Sequence, residues 1–427
     1  MFVQAFLILV GLVALSLPIA AVLLIVALSM GLIHSPMPLH LAGSAIFWEV
    51  STEFTLTTIP LFVLLGEVLL RAGVAERMYA AVAVWLNRLP GGLLHANIGA
   101  STLFSATSGS SVATAATIGT VALPEITKRN YNERLFLGSL AAGGTLGILI
   151  PPSIHLILYG MITQSSIPQL YTAAMIPGLL LALIFGAIIV VCCVIRPAMG
   201  GDAIETTWRE RFASLPSVLP ILGLFLTVVG SIYAGLATPT EAASLGLVFA
   251  LVLAAFYGRL SIAMLHAAFL GTMRTTAMIM LIVMVSYFLN FVLAFLGIPQ
   301  ALTRFIDDLG LTPTMTMVLI VAFFVVLGCF LESLSMLVTM TPLVAPIVIG
   351  LGFDPVWFGV VMILLLEVAL ITPPVGINLY VVQAIRERGE MLDVMLGAAP
   401  FVVGMFVLIG LLIAYPEIAL WLPSVGR

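Results

Sequence analysis

The chain has 427 residues, 62% of them hydrophobic and only 8% charged, with a formal net charge of −4, whereas a soluble domain carries about 25% charged residues. A mean hydropathy of +1.26 over that length describes a polytopic helical membrane protein, because the apolar runs are too long and too uniform for the alternating strands of a barrel. There is no basic patch and no interleaving of aromatic with basic residues, so nucleic acid is excluded as a partner.

Residues 1–33 carry no charge. A secretory signal would begin with basic residues and have a shorter apolar stretch, so this segment reads as a membrane helix kinked near Pro18. Residues 34–53 mix polar and apolar side chains, as an interfacial arm does. A crossing at about 54–70 follows. The apolar stretch 92–124 is too long for one crossing and has a small, polar centre at Ser108-Gly109-Ser110-Ser111, so it reads as a re-entrant hairpin. Single crossings are then expected at about 135–162, 170–196, 215–235, 239–257 and 276–296, each near or above the spanning length. A second mixed segment at 297–312 precedes a second overlong stretch, 313–349, with Glu332-Ser333 at its centre. Crossings at about 355–383 and 394–421 complete the chain.

Two of these crossings are broken in the same way. The first contains Gly147-Ile148-Leu149-Ile150-Pro151-Pro152-Ser153 and the second Ala369-Leu370-Ile371-Thr372-Pro373-Pro374-Val375, with 222 residues between Pro151 and Pro373. Thr117 and Pro124 precede Thr339 and Pro346 by the same 222 residues. A Pro-Pro pair removes two backbone donors and cannot continue a helix. Lipid tolerates such a break only where the freed carbonyls face a cavity, an ion or other protein. Paired interruptions in two halves are the sequence mark of a secondary transporter's binding site. The expected organisation is therefore a first helix and arm (1–53), a first repeat (54–196) with hairpin one and the broken helix 135–162, a linker and connecting helix (197–238), and a second repeat (239–427) with hairpin two and the broken helix 355–383. The fold class is an all-α polytopic membrane protein built as an inverted-repeat transporter with two re-entrant hairpins and two broken helices.

The charges support the hairpins. With residue 1 in the cytoplasm, that side receives Arg71, Arg77, Arg88, Lys128, Arg129, Arg134, Arg196, Arg209, Arg211, Arg259, Arg274, Arg386 and Arg388, which is 13 of the 15 basic residues. Only Arg304 and Arg427 fall outside, as the positive-inside rule demands. Treating either hairpin as a single crossing puts Lys128, Arg129 and Arg134, or Arg386 and Arg388, on the wrong side. Five crossings separate equivalent elements, an odd number, so the second half is inverted. The N-terminus is cytoplasmic and the C-terminus lies on the opposite side.

The tip Ser108–Ser111 is rich in hydroxyls, and glycine lets backbone approach closely. Half-helices meeting there direct partial charges at one spot. Hydroxyls with carbonyls suit a hard cation such as Na⁺; the competing reading is a small-residue helix-packing motif. Polar residues gather around the breaks and tips, and Ser111, Thr145, Ser153, Ser333, Pro374 and Asn378 are the candidate substrate contacts. Asn378, an amide in an apolar run, needs a partner, which a bond across helices would also supply. Glu332 sits opposite Ser110 in the repeat. It joins a cation site, relays a proton, or is a structural acid bonded to neighbouring hydroxyls, and Glu367 invites the same alternatives. Glu241, after Thr238-Pro239-Thr240, reads as part of a helix cap. Glu67 and Arg71 are spaced for an ion pair. The three cysteines (Cys192, Cys193 and Cys329) and the five histidines show no disulfide framework and no metal-ligand spacing. No glycine-rich turn ends in Lys-Ser or Lys-Thr, so ATP does not drive this polypeptide directly.

The segments Ser105–Ser111, Leu140–Ser153, Thr238–Ala243 and Ile371–Asn378 together resemble the large membrane subunit of tripartite ATP-independent periplasmic (TRAP) transporters, over essentially the whole chain. The resemblance implies an elevator-type importer of organic acids in the bacterial inner membrane, coupled to sodium. Its implied partners are a small four-helix membrane subunit and a periplasmic substrate-binding protein. By the family pattern one Na⁺ site uses Ser108 and Ser110 with backbone at Gly147, Ile150 and Pro152. A second uses backbone near Gly328 and Glu332, with Ala369 and Thr372; Ala369 departs from the Gly147 of its partner repeat. The alternative is a stand-alone divalent-anion/sodium symporter of similar architecture.

Overall fold

A chain that must bury its backbone in lipid satisfies its hydrogen bonds within each segment, and the α-helix does so. The computed structural model of the protein describes residues 2–15, 17–202, 206–386 and 388–425, and no strand occurs among them. Among the described residues, six helices are long and apolar enough to cross a membrane: Phe54–Arg71, Ile167–Ile195, Pro239–Phe256, Ile262–Phe295, Ser333–Gly350 and Met391–Ala414. The N-terminal segment divides at Pro18 into Phe2–Ala14 and Ile19–His34. The two mixed segments hold the helices Gly43–Ser51 and Ile298–Asp308. Arg427, one of the two basic residues expected on the far side, lies outside the described residues.

The repeat is visible in its helix starts. Hairpin one comprises Leu93–Ser108 and Ser111–Ala122; hairpin two comprises Pro313–Gly328 and Ser333–Gly350. The first broken helix runs Glu133–Leu149 and Ile154–Thr163, bent by 41°; the second runs Pro355–Ile371 and Ile377–Arg386. The side chain of Asn132 caps Glu133–Leu149, and that of Asp354, at the equivalent position, caps Pro355–Ile371. Each accepts backbone N–H groups that have no partner within the helix. The Pro151–Pro152 and Pro373–Pro374 peptide bonds are both cis. Both pre-break helices are buried over nearly their whole length and pack on each other at the centre of the molecule.

Three expected elements differ. Residues 74–86 form a helix that no proposed crossing covers; at 13 residues and about 1.5 Å per residue it is too short to span. The 215–235 crossing is interrupted, with a 42° bend between Trp208–Ser217 and Leu219–Tyr233 and a π-helical stretch at Leu226–Gly230; Pro220 and Gly223 weaken the regular ladder there. The 276–296 crossing belongs to a 34-residue helix, Ile262–Phe295, whose start is set by the Ser261 cap. The Thr238–Glu241 capping box and the Glu67–Arg71 pair are both present.

One end of the molecule is clasped by charges from both repeats. The Arg386 side chain is 5% exposed and pairs with Glu133 at 2.9 Å and Asp393 at 3.3 Å, while Arg134 reaches Asp393 at 2.9 Å. Asp393→Asn is expected to lower the thermal unfolding midpoint in detergent, because it removes the carboxylate that both arginines share; an unchanged midpoint would remove the clasp from the stability account.

Candidate functional site

Glycine at the end of the first hairpin arm lets the chain reverse within two residues. Gly109 has φ +59°, a conformation that side chains disfavour. Ser110 then caps Ser111–Ala122, its hydroxyl accepting the Ala113 N–H at 3.3 Å. The reversal gathers oxygens. The Ser108 and Thr114 hydroxyls lie 2.8 Å apart, and the Thr114 hydroxyl donates to the Ser110 carbonyl at 2.8 Å. Ser108 Oγ is 3.4 Å from the same carbonyl.

This tip is seated against the first break. A Cβ on Gly147 would lie 2.6 Å from the Ser110 carbonyl oxygen, and one on Gly109 would lie 2.9 Å from that of Pro152. Of the first predicted set, Ser108, Ser110, Gly147 and Pro152 are thus together. Ile150 caps its helix through its N–H to the Leu146 carbonyl at 3.0 Å, and its side chain packs beside Gly178. Neutral hard oxygens in this density fit a small monovalent cation. Among the described residues no group of three or more His, Cys, Asp or Glu could hold a metal ion.

The second tip is built differently. Glu332 stands where Ser110 stands in the other half, and it too is the cap: its carboxylate accepts the N–H groups of Leu334 at 3.0 Å and Ser335 at 3.1 Å. The Ser335 and Ser333 hydroxyls add to it at 3.1 and 3.3 Å. Gly328 lies against Ala369, where a Cβ on Gly328 would meet the Ala369 methyl at 2.6 Å. The small residue has moved from the broken helix to the hairpin, which accommodates the alanine. Thr372 donates to the Val368 carbonyl at 2.6 Å, leaving its lone pairs free. The breaks differ in exposure: Ile150–Ser153 are buried, whereas Pro373 and Pro374 are exposed.

The substrate candidates divide between the repeats. Ser111 donates to the Asn378 side-chain oxygen at 2.9 Å, and the Asn378 amide donates to the Ala141 carbonyl at 3.2 Å. Ser333 shares a hydrogen bond with His155 Nε2 at 3.2 Å. Each hairpin is therefore tied to the post-break helix of the other repeat. Ser153 caps Ile154–Thr163, and Thr145 donates to Ala142 at 2.8 Å. Pro374 accepts the Tyr380 hydroxyl at 3.2 Å. Glu367 is wholly buried, and neither carboxyl oxygen has a hydrogen-bond partner. Sequence reading passed over Thr114 and His155. A hydroxyl one turn beyond Ser110 was the available signal for Thr114; nothing local marks His155, whose partner is 178 residues away. A wide cavity of about 900 Å³ between the Gly43–Thr57 arm, Ile262–Phe295 and hairpin two touches none of these residues.

A family model for the tripartite ATP-independent periplasmic transporter, DctM component, matches residues 6–418. The chain is 34% identical to the C4-dicarboxylate TRAP transporter large permease protein of Pseudomonas aeruginosa, covering 92% of this chain and 91% of that protein. It is 31% identical to the sialic acid TRAP transporter large permease protein of Vibrio cholerae (97% and 96% covered) and 31% identical to the ectoine TRAP transporter large permease protein of Halomonas elongata (86% and 86%). The crystal structure of the Alcanivorax borkumensis YdaH transporter superposes with a TM-score of 0.57 at 16% identity, covering 96% of this chain and 99% of that one; at that identity the likeness concerns the fold.

Proposed function

Because the chain belongs to the DctM family, as the large permease subunit of a TRAP secondary transporter, we propose that it imports an organic acid by an elevator movement coupled to sodium. The substrate is handed over by a periplasmic binding protein, and a small four-helix membrane subunit completes the membrane complex in the bacterial inner membrane. The basic clasp at Arg386 faces the cytoplasm with the N-terminus, and the C-terminus is periplasmic. Family membership sets aside the stand-alone symporter.

The observation that supports sodium coupling is the oxygen cluster of Ser108, Ser110 and Thr114 seated on Gly147 and beside the Pro152 carbonyl. Bound there, Na⁺ supplies charge that offsets the approach of a carboxylate to an apolar interior. The chain's own residues hold the hairpin tip closed over the break and keep these oxygens inward. Gly328, Glu332, Ala369 and Thr372 form the corresponding second site. Ser111, Thr145, Ser153, Ser333, Pro374 and Asn378 receive the substrate as the hairpins part from the opposite repeat.

Uptake by the reconstituted complex is expected to collapse without a Na⁺ gradient. In Ser108→Ala the half-saturating Na⁺ concentration should rise by about tenfold, since an unreplaced polar contact is worth about 1–3 kcal/mol. Expression should be normal, because alanine packs well at small-residue contacts. Undiminished uptake in sodium-free medium, or an unchanged sodium dependence in the variant, would leave the tip as a packing device.

A further inference from the structure

An apolar groove of about 780 Å³ lies between the short helix Val74–Leu86, the first arm of hairpin one, the helix Ile167–Ile195 and the segment 215–218. Its walls include Val82, Ile98, Leu183, Val190 and Leu215. Leu183 is 70% exposed on a helix apolar enough to span a membrane, so the groove opens sideways toward hydrocarbon. The polar groups in the wall are internally satisfied: Thr102 donates to the Ile98 carbonyl at 2.8 Å, and His95 bonds the Pro90 carbonyl at 2.9 Å. The exception is the indole N–H of Trp85, which is buried without a partner.

The rim at one end is cationic and aromatic. Arg88 and Arg211 both stack on Trp208, their guanidinium carbons 5.2 and 5.0 Å from its ring centroid. Phe212 packs edge-on against Trp85. Among the described residues, Arg211, only 4% exposed, hydrogen-bonds to Thr206 alone at 3.2 Å, its Nε has no partner there, and no carboxylate pairs with it. A buried guanidinium without a counter-charge is costly, and such a site calls for an anion. An apolar slot open to lipid with an anion-seeking rim has the chemistry of an amphiphile site.

We propose that this groove holds an acyl chain of an anionic bilayer phospholipid. Its phosphate lies beside Arg88 and Arg211, and the acyl chain runs past the Trp85 ring. A helix of a partner subunit in the same groove would leave Arg211 uncompensated unless it brought its own acid. One wall is an arm of hairpin one, so the lipid packs against an element that carries the proposed cation site.

The test is titration of the purified full chain, in neutral detergent, with phosphatidylglycerol carrying brominated acyl chains, read as quenching of tryptophan fluorescence. Brominated phosphatidylcholine is the comparison. Saturable quenching is expected, tighter for the anionic lipid, and its main component should be missing in Trp85→Phe. Arg211→Gln and Arg88→Gln should each weaken binding by about fivefold, the effect of one basic residue near anionic lipid, while Arg211→Lys retains most of it. Arg88 is exposed, so its variant reads binding even if Arg211→Gln misfolds. Ala182→Phe, which fills the groove, should abolish the Trp85 component with normal helicity. Equal quenching by the two lipids, quenching indifferent to both arginine variants, or a Trp85 signal that survives Ala182→Phe would each overturn the proposal, as would loss of the signal when the small membrane subunit is bound.

Discussion

Gly138→Ala is expected to destabilise the folded protein more than any other single added methyl along the pre-break helices. The helices Glu133–Leu149 and Met391–Ala414 cross with backbone on backbone. A Cβ on Gly138 would overlap the carbonyl oxygen of Gly397, and one on Gly397 would overlap that of Arg134. Overpacking ordinarily costs about 1–3 kcal/mol. Here the obstacle is main chain on both sides, and the Arg134–Asp393–Arg386 clasp pins the same corner, so relief by a side-chain rotation is unavailable. The loss should lie at or above the upper end of that range and reduce the yield of monodisperse protein. Gly410→Ala, with nothing within 4 Å of its added carbon, should melt like wild type. If the two variants melt alike, the close crossing is not what holds these helices.

Gly147→Ala should separate folding from transport. Its methyl would sit 2.6 Å from the Ser110 carbonyl oxygen and 2.9 Å from the Ser111 nitrogen, so the hairpin tip must withdraw. The helix beneath is buried along its length, so the protein should still accumulate in the membrane. Sodium-dependent uptake should fall by at least about tenfold, the effect of ~1.4 kcal/mol of lost ligation. The second half offers an internal control. Gly328→Ala meets the Ala369 methyl at 2.6 Å, and Gly328→Ala with Ala369→Gly exchanges the two residues across the contact. The double variant should recover uptake that the single one loses. Full activity in Gly147→Ala would show that the tip does not need this seat.

The spans, the two hairpins and the two breaks were legible because each writes a local signal: apolar length, a small or charged centre, a Pro-Pro pair, a capping side chain at a fixed offset. The Thr238–Glu241 box is of that kind, whereas the Asn132 and Asp354 caps came from the structure. The helix at 74–86 escaped because Glu76 and Arg77 interrupt its apolar run and it is too short to span. The interruption at 208–233 escaped because composition hides a bend. At the site, the tip residues were readable and their partners were not. Asn378 was seen to need a hydrogen-bond partner, but that Ser111 supplies it depends on how two repeats fold together. Glu332 was open to three readings, cation ligand, proton relay or structural acid bonded to neighbouring hydroxyls, and its four donors all come from the next three residues.

The cross-tie between hairpins and opposite repeats has a consequence for how the protein is made. Ser111 and Asn378 are 267 residues apart, and ribosomes deliver roughly 5–20 residues per second. Hairpin one therefore emerges roughly 10–50 s before the helix that completes it has been synthesised. Over that interval Ser111 lacks its final partner, although the rest of the tip already has its hydrogen bonds and its seat on the first break. A ribosome stalled in the linker leaves a first half whose Ser111 lacks the Asn378 that completes it.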